Sequence, residues 1–218
     1  MTDYLPVMLS IDHPHQELED WVVERFELLN GKAVHVVRRQ DLHDVVDIVH
    51  PAYLKAWLWD LVPPGTQRIL YFDFDVIPLR PMPDFPDTAF IACPDAQWYD
   101  SQMRAMYPAF ASGHYFNAGF FVAGIETRPC FDQLKSFAVA RGYDGPYGNT
   151  YEQTPLNHLI QTQFDVHWLP HTIQCMAHTD YTDLPTACLL HLAGIYNELR
   201  WVVMAAIRLA LTSQLKIG

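Results

Sequence analysis

The chain alternates short β-branched or aromatic runs with longer stretches whose apolar residues recur at helical spacing. Leu5 to Ile11 reads as a first strand. Asp12 followed by Pro14 supplies an N-cap and an early proline for the next segment. There Leu18, Trp21, Val22, Phe26 and Leu29 share one helical face until Asn30-Gly31 ends the run. Lys32 to Val37 is a short strand and completes a β-α-β opening. A second helical region begins near Pro51, carries Leu54, Trp57, Leu58 and Leu61 on one face, and stops at Pro63-Pro64-Gly65. The run from Arg68 to Ile77 is apolar on both faces apart from Asp73 and Asp75, the pattern of a parallel strand covered on both sides.

Further strands are expected at Ala89 to Ala92, Phe116 to Ala123, Val166 to Leu169 and Ala187 to Leu190. Pro129 to Arg141 and Thr154 to Gln161 read as helices, separated by a Gly/Tyr loop from Gly142 to Gly148, and a last helix spans about 199–215. The predicted fold class is α/β, a mostly parallel, twisted, Rossmann-like sheet with helices on both faces.

Composition narrows the picture. No Gly/Ser-rich or charge-rich linker divides the 218 residues, so one domain over 1–218 is expected. With 50% hydrophobic and 18% charged residues the chain is not disordered. A net charge of -11 argues against nucleic acid as a partner, because phosphate contacts need clustered Lys and Arg. An acidic chain can still bind a nucleotide when a metal supplies the positive charge. Cys93, Cys130, Cys175 and Cys188 show no C-x-x-C spacing, and Met1-Thr2-Asp3-Tyr4 lacks the basic and apolar regions of a signal peptide, so a cytoplasmic location is expected. Arg200 and Arg208 break the last apolar segment short of the ~20 residues that span a bilayer. A buried or dimer-forming helix is expected there, and a peripheral membrane contact stays open. His167, His171, Cys175 and His178 are ligand-like, but Pro170 and the strand around His167 keep one helical face from presenting them together, which disfavours zinc.

The chemistry concentrates at Asp73 and Asp75. Side chains two apart on a strand share a face about 7 Å apart, and two like charges there need a divalent cation, a phosphate-metal unit or a network of donors. Both fall near the carboxyl end of the run, where open α/β sheets bind ligands.

Four patterns follow in order: Leu70-Tyr71-Phe72-Asp73-Phe74-Asp75-Val76, Tyr115-Phe116-Asn117-Ala118-Gly119-Phe120-Phe121-Val122, Glu152-Gln153-Thr154-Pro155-Leu156-Asn157, and His191-Leu192-Ala193-Gly194. Together they resemble the GT-A nucleotide-sugar glycosyltransferases, and within them the glycogenin-like and lipopolysaccharide-galactosyltransferase-like family, from about Tyr53 to Gly194. The resemblance implies metal-dependent transfer of a hexose from a nucleoside diphosphate sugar, a UDP-sugar, to a hydroxyl of a glycan or other acceptor, with retention. Asp73 and Asp75 match the D-x-D that binds manganese and, through it, the donor diphosphate. His191 matches the histidine that completes the site, a ligand set suited to Mn2+ or Mg2+.

Asn117 falls in the segment that lines the sugar pocket. Glu152 and Gln153 match the family's D-Q, with Glu for Asp: the acid meets donor sugar hydroxyls and Gln153 sits near the anomeric carbon. Lys55 falls where the family carries a cation that meets the diphosphate or the aspartates, and Asp12 lies near the nucleotide base. Each residue alone also has a plain reading: His191 as a core histidine, Asn117 as a turn asparagine, Glu152 and Gln153 as first-turn residues, Lys55 as a solvated cation, Asp12 as a cap.

One departure stands out. Ile195-Tyr196-Asn197-Glu198-Leu199 replaces the family's x-x-K-P-W, so the phosphate-binding lysine is missing, and either Arg200-Trp201 substitutes after a shift or that contact is absent. Two other readings remain. Haloacid dehalogenase phosphatases also end a strand in D-x-D, but near the start of the domain and without Val76-Ile77-Pro78 after it. A GT-A-like domain can also bind a nucleotide sugar without transferring it.

Overall fold

The computed structural model describes residues 3–11, 14–42, 45–106, 114–140, 142, 150–177, 184–195 and 197–214. Strand β1 (Leu5–Ser10) leads to helix α1 (Gln16–Asn30), whose apolar face packs on the sheet and whose first turn carries Glu17 and Glu19, favourable at a helix N-terminus. His15, not Asp12, stands at the N-cap of α1, and Asp12 lies outside the described residues. Gly31 ends the helix at φ 63, a left-handed conformation that glycine adopts without steric cost. β2 (His35–Arg38) returns parallel to β1. After α2 (Val45–Ile48), the segment Pro51–Trp57 winds as a 3₁₀ helix, with the His50 side chain accepting from the Ala52 amide, and runs on into α3 (Leu58–Leu61).

The run around the aspartates is not one strand. β3 (Arg68–Phe72) ends in the large sheet, Asp73-Phe74-Asp75 forms a turn closed by Val76 N–H donating to the Asp73 carbonyl at 3.0 Å, and β4 (Val76–Pro78) enters a second sheet. The turn frees both carboxylates from facing the apolar layers that cover β3.

β5 (Phe90–Pro94), α4 (Gln97–Met106), β6 (Phe116–Gly124), α5 (Arg128–Leu134), α6 (Gln153–Gln163), β7 (Val166–Trp168), β8 (Gln174–Met176), β9 (Leu189–His191) and α7 (Asn197–Gln214) complete the elements. The large sheet has six strands in the order β2-β1-β3-β6-β5-β7, and β6 alone runs against the others. The small sheet has three, in the order β4-β9-β8. The helix expected over Pro129 to Arg141 stops early. Lys135–Phe137 tightens to 3₁₀ and Ala138 turns extended, because Val139 accepts from the His50 amide and Ala140 bridges Val49. α4 and β8 were not legible: α4 is largely polar, and β8 is too short for periodicity.

The large sheet divides two cores. Ile69, Tyr71, Phe90 and Phe121 face one, covered by Leu54, Leu58, Phe131, Leu156 and Ile160. Leu70, Phe72, Ile91 and Phe120 face the other, against Trp21, Val22 and Phe26 of α1, Val76 and Leu189 of the small sheet, and Met204 of α7. The far side of α7 leaves Leu199, Val202 and Leu209 exposed, and no helix among the described residues is long and apolar enough to cross a membrane. Phe26 is fully buried and stacks on Phe72 with centroids 4.8 Å apart. Phe26→Ala is expected to cost about 3–5 kcal/mol by removing this contact and leaving a cavity. Urea denaturation checks it, and a loss below about 1 kcal/mol would contradict the packing.

Candidate active site

The site forms where β1, β3 and β6 reach one edge of the large sheet. β6 alternates irregularly there: Phe116 and Ala118 face the first core, and so do Phe121 and Ala123. Pairing with β5 slips correspondingly, since Ala92 meets Phe121 while Pro94 meets Phe116. Such a bulge re-aims side chains at the rim of a sheet. Here it leaves Asn117 and Gly119 beside the aspartate turn, with the Asp73 amide donating to the Gly119 carbonyl at 2.9 Å. A Cβ at Gly119 would lie 2.3 Å from His191 Cε1 and 2.9 Å from Asp73 Oδ2, so this position needs glycine for close approach rather than for turn freedom.

Asp73, Asp75 and His191 converge, with one ligand atom from each lying within 4.8 Å of the others. Among the described residues no other such group of three acidic, histidine or cysteine side chains occurs; His167, His171 and Cys175 do not assemble, and His178 lies outside those residues. Asp73 accepts from the Tyr71 hydroxyl and from Lys55 Nζ at 3.3 Å. Asp75, nearly buried, faces His191 Nε2 at 3.4 Å and Arg200 Nη1 at 3.2 Å. Burial alone would raise the Asp75 pKa, but the His191 and Arg200 charges and hydrogen bonding to His191 outweigh it and hold the carboxyl at about 2.

Two carboxylates and an imidazole are a donor set that fits Mn2+ or Mg2+. The surroundings of His191 fit it as well. Gln174, buried on β8, donates its amide to His191 Nδ1 at 2.8 Å, while its own Oε1 is buried without a hydrogen-bond partner. A histidine that offers Nε2 to a cation carries its proton on Nδ1, and rotating the Gln174 carboxamide presents that orphan oxygen as the acceptor.

Lys55 lies on the 3₁₀ segment and is buried, with Nζ 2.7 Å from Glu152 Oε1 as well as near Asp73. Burial would lower its pKa, but the Asp73 and Glu152 charges reverse this and keep it cationic. Glu152 moves up because its own burial outweighs Lys55. It follows Tyr151, whose φ of 41 lies in the left-handed region and whose ring stacks on His50 with centroids 4.3 Å apart. Gln153, the first residue of α6, is tied at both ends: Oε1 accepts from the Ala118 amide at 2.9 Å, and Nε2 donates to Asp95 at 2.8 Å. Asn117 Nδ2 donates to the same Asp95 oxygen at 3.3 Å, and its Oδ1 accepts from Gly119 N–H at 2.9 Å.

Asp95 was missed by the sequence reading. Its pKa is raised by burial and partly restored by the Ala96 amide, Gln153 and Asn117. Its position one residue past the carboxyl end of β5 is the signal that would have found it. Gln174 offered no signal, since β8 itself was not predicted.

Asp73, Asp75, His191, Lys55, Glu152, Gln153, Asn117, Asp95 and Arg200 line one cavity of about 680 Å³, together with Leu9, Ala52, Tyr99 and Ala193; Gln174 lies behind it. Its wall carries four carboxylates (Asp73, Asp75, Asp95, Glu152) against two permanent cations (Lys55, Arg200), a formal net charge of -2.

No protein-family model and no curated protein matches the sequence. Solved structures do match. A glycosyltransferase involved in the glycosylation of the major capsid of PBCV-1 superposes with a TM-score of 0.64 over 93% of this chain and 99% of its own, at 16% identity. The galactosyltransferase LgtC, solved with donor and acceptor sugar analogs, gives 0.58 over 92% and 95%, at 14% identity. The bifunctional glycosyltransferase WbbM gives 0.63 over 90% of this chain and 46% of its own, at 10% identity. The chain has the GT-A fold. In this GT-A domain the acid-bearing turn follows the third strand in sequence, after β1, α1 and β2, which is not the early placement that the haloacid dehalogenase alternative requires.

Two outcomes are expected from this geometry. The Asp75 carboxyl lies below its ordinary value of about 3.9, so its contribution to stability is complete above about pH 4 and is lost as the pH falls toward 2. The wild-type unfolding free energy is therefore expected to fall more steeply over that interval than that of Asp75→Asn, as read by denaturant titration at each pH; equal slopes would contradict the pairing. Gly119→Ala is expected to push the His191 ring out of place and to cost about 1–3 kcal/mol, read by thermal denaturation with the histidine NMR resonances followed in parallel. An unmoved His191 resonance would contradict the close approach.

Proposed function

We propose that this protein is a metal-dependent glycosyltransferase that moves a hexose from a nucleoside diphosphate sugar, a UDP-sugar, to an acceptor hydroxyl. The observation that carries the reading is the convergence of Asp73, Asp75 and His191 in a cavity also lined by Asn117, Asp95, Glu152 and Gln153, polar side chains held in place by hydrogen bonds. The cavity volume of about 680 Å³ suits a nucleotide sugar, within the roughly 300–1,000 Å³ of ordinary ligand sites. A wall of net charge -2 repels a diphosphate, which is a physical reason for the site to require a cation.

Asp73, Asp75 and His191 would hold the Mn2+ or Mg2+. When bound, that cation neutralises the charge that develops on the departing diphosphate. Lys55 bonds Asp73 and Glu152 together and fixes both side chains, so neither acid has to reorient as the donor enters. Glu152 and Asp95 accept from donor sugar hydroxyls, and Asn117 supplies an amide beside them. Gln153, clamped between Ala118 and Asp95, forms a rigid wall near the anomeric carbon. In this reading the acceptor hydroxyl attacks from the face that the diphosphate leaves, which retains the anomeric configuration.

Calorimetric titration of uridine diphosphate and guanosine diphosphate, with manganese and then with chelator, tests the donor class. Manganese-dependent binding of the uridine nucleotide is the expected result, and no binding of either under any condition would overturn the reading. Incubation with UDP-sugars then separates transfer or donor hydrolysis from binding alone, the outcome that would mark a non-transferring domain. Asp75→Asn is expected to reduce metal-dependent donor turnover by at least about a hundredfold with the circular dichroism spectrum unchanged, since a ligand to the charge-neutralising cation is lost. Full activity in that variant would overturn the metal assignment.

A further inference from the structure

We infer that Gln174 is a positioning residue with two working orientations: in one its carboxamide holds His191 toward Asp75, and in the other it holds the ring toward a cation. This inference rests on the proposed metal site.

Gln174 and Met176 lie on one face of β8, and the parallel pairing with β9 puts Leu189 and His191 on that same face. Gln174 is 2% exposed, so its polar atoms must find partners within the protein. Its Nε2 stands 2.8 Å from His191 Nδ1 and 3.5 Å from Asn117 Oδ1, while Oε1 is buried without a hydrogen-bond partner.

The two ends of a carboxamide have the same shape, so neighbours decide which is which. Two neighbours decide it for Gln174. Asn117 Oδ1 is an acceptor, because it takes the Gly119 amide at 2.9 Å while Asn117 Nδ2 donates to Asp95 at 3.3 Å. The Gln174 atom facing it is therefore the nitrogen. Asp75 Oδ1 lies 3.4 Å from His191 Nε2, which places the ring proton on Nε2 and leaves Nδ1 to accept from Gln174.

A cation on His191 needs the Nε2 lone pair. One proton then leaves Nε2 and one is bound at Nδ1, with no net gain or loss. The new Nδ1–H would point at the Gln174 amino group, so the carboxamide reverses and presents Oε1 as the acceptor. The number of buried groups without a partner does not change, since the nitrogen now stands where the oxygen stood. The cost is the contact with Asn117, where two oxygens come to face each other. Gln174 is thus poised between the two states, and the cation selects the second.

NMR of the whole chain with 15N-labelled histidine, with and without Mg2+, reads the His191 tautomer in wild type, Gln174→Met and Gln174→Glu. Calorimetry reads Mn2+ affinity for the same proteins, with and without uridine diphosphate. Wild-type His191 is expected to carry its proton on Nε2 without metal and on Nδ1 with Mg2+. Gln174→Met keeps the length of the side chain and offers no acceptor, and is expected to bind Mn2+ about tenfold to a hundredfold more weakly. Gln174→Glu can only accept. It is expected to carry a proton on Nδ1 before metal is added and to bind Mn2+ at least as tightly as wild type.

A side chain that merely fills space would leave the methionine variant equal to wild type, and that result overturns the inference. So does a wild-type His191 already protonated on Nδ1 without metal, or a glutamate variant as weak as the methionine one. A wild type that binds neither cation, with or without nucleotide, overturns the proposed metal site itself and the inference with it, a result read before any variant is compared. Should Gln174→Met fail to fold by circular dichroism, the wild-type change of tautomer decides: its presence sustains the inference and its absence overturns it.

Discussion

Neighbouring acids that lie out of water must each be met by positive charge or by donors, and the cavity is organised around that requirement. Asp73 takes Tyr71 and Lys55, Asp75 takes His191 and Arg200, Glu152 shares Lys55, and Asp95 collects three amide donors. Taking an ion out of water costs several kcal/mol, so a carboxylate without such partners would hold its proton instead. The partners come from segments far apart in sequence: the 3₁₀ segment before α3, the strand β3, the bulge in β6, the start of α6, the end of β9 and the first turn of α7. Charge compensation thus ties the two sheets and their helices to one point.

The fold supplies the rigidity that this compensation needs. β3 and β6 are buried along their whole lengths, and their ladder sets Phe72, the last residue of β3, opposite Phe120 in the middle of β6. The slip in β6 turns a strand that would otherwise present only apolar side chains into one that offers Asn117 and a bare backbone at Gly119. Local irregularity in an otherwise regular sheet is where the polar chemistry finds room.

Much of this was legible in the residues. The β-α-β opening, the buried strands and the end of α1 at Gly31 followed from periodicity, and the polar patterns around Asp73, Asn117, Gln153 and His191 from their combined resemblance to the GT-A enzymes. What escaped has physical causes. The acid run read as one strand because hydrophobicity continues from β3 into β4, and periodicity does not register that the chain changes sheets. Ala138-Val139-Ala140 read as helix on apolar spacing, yet pairing with His50 and Val49 draws it extended, a case of tertiary contact overriding local preference. Lys55 had equal claims to solvent and to the site, because its burial depends on Glu152, 97 residues away. Asp95 and Gln174 belong to no local pattern and gain meaning only from what faces them across the fold. For Asp12, His178 and most of the Gly/Tyr loop, the expectations lie outside the described residues.

The turn that bears Asp73 and Asp75 is also the covalent bridge between the two sheets, with Asp73 anchored to the large one through Gly119 and the Asp75 carbonyl anchored to the segment after β9 through Leu192. A tilt of one sheet against the other therefore opens or closes the gap between the acids. The proposed cation, seated there, would act as a rivet across that seam and would tie occupancy of the site to the stiffness of the core beneath it.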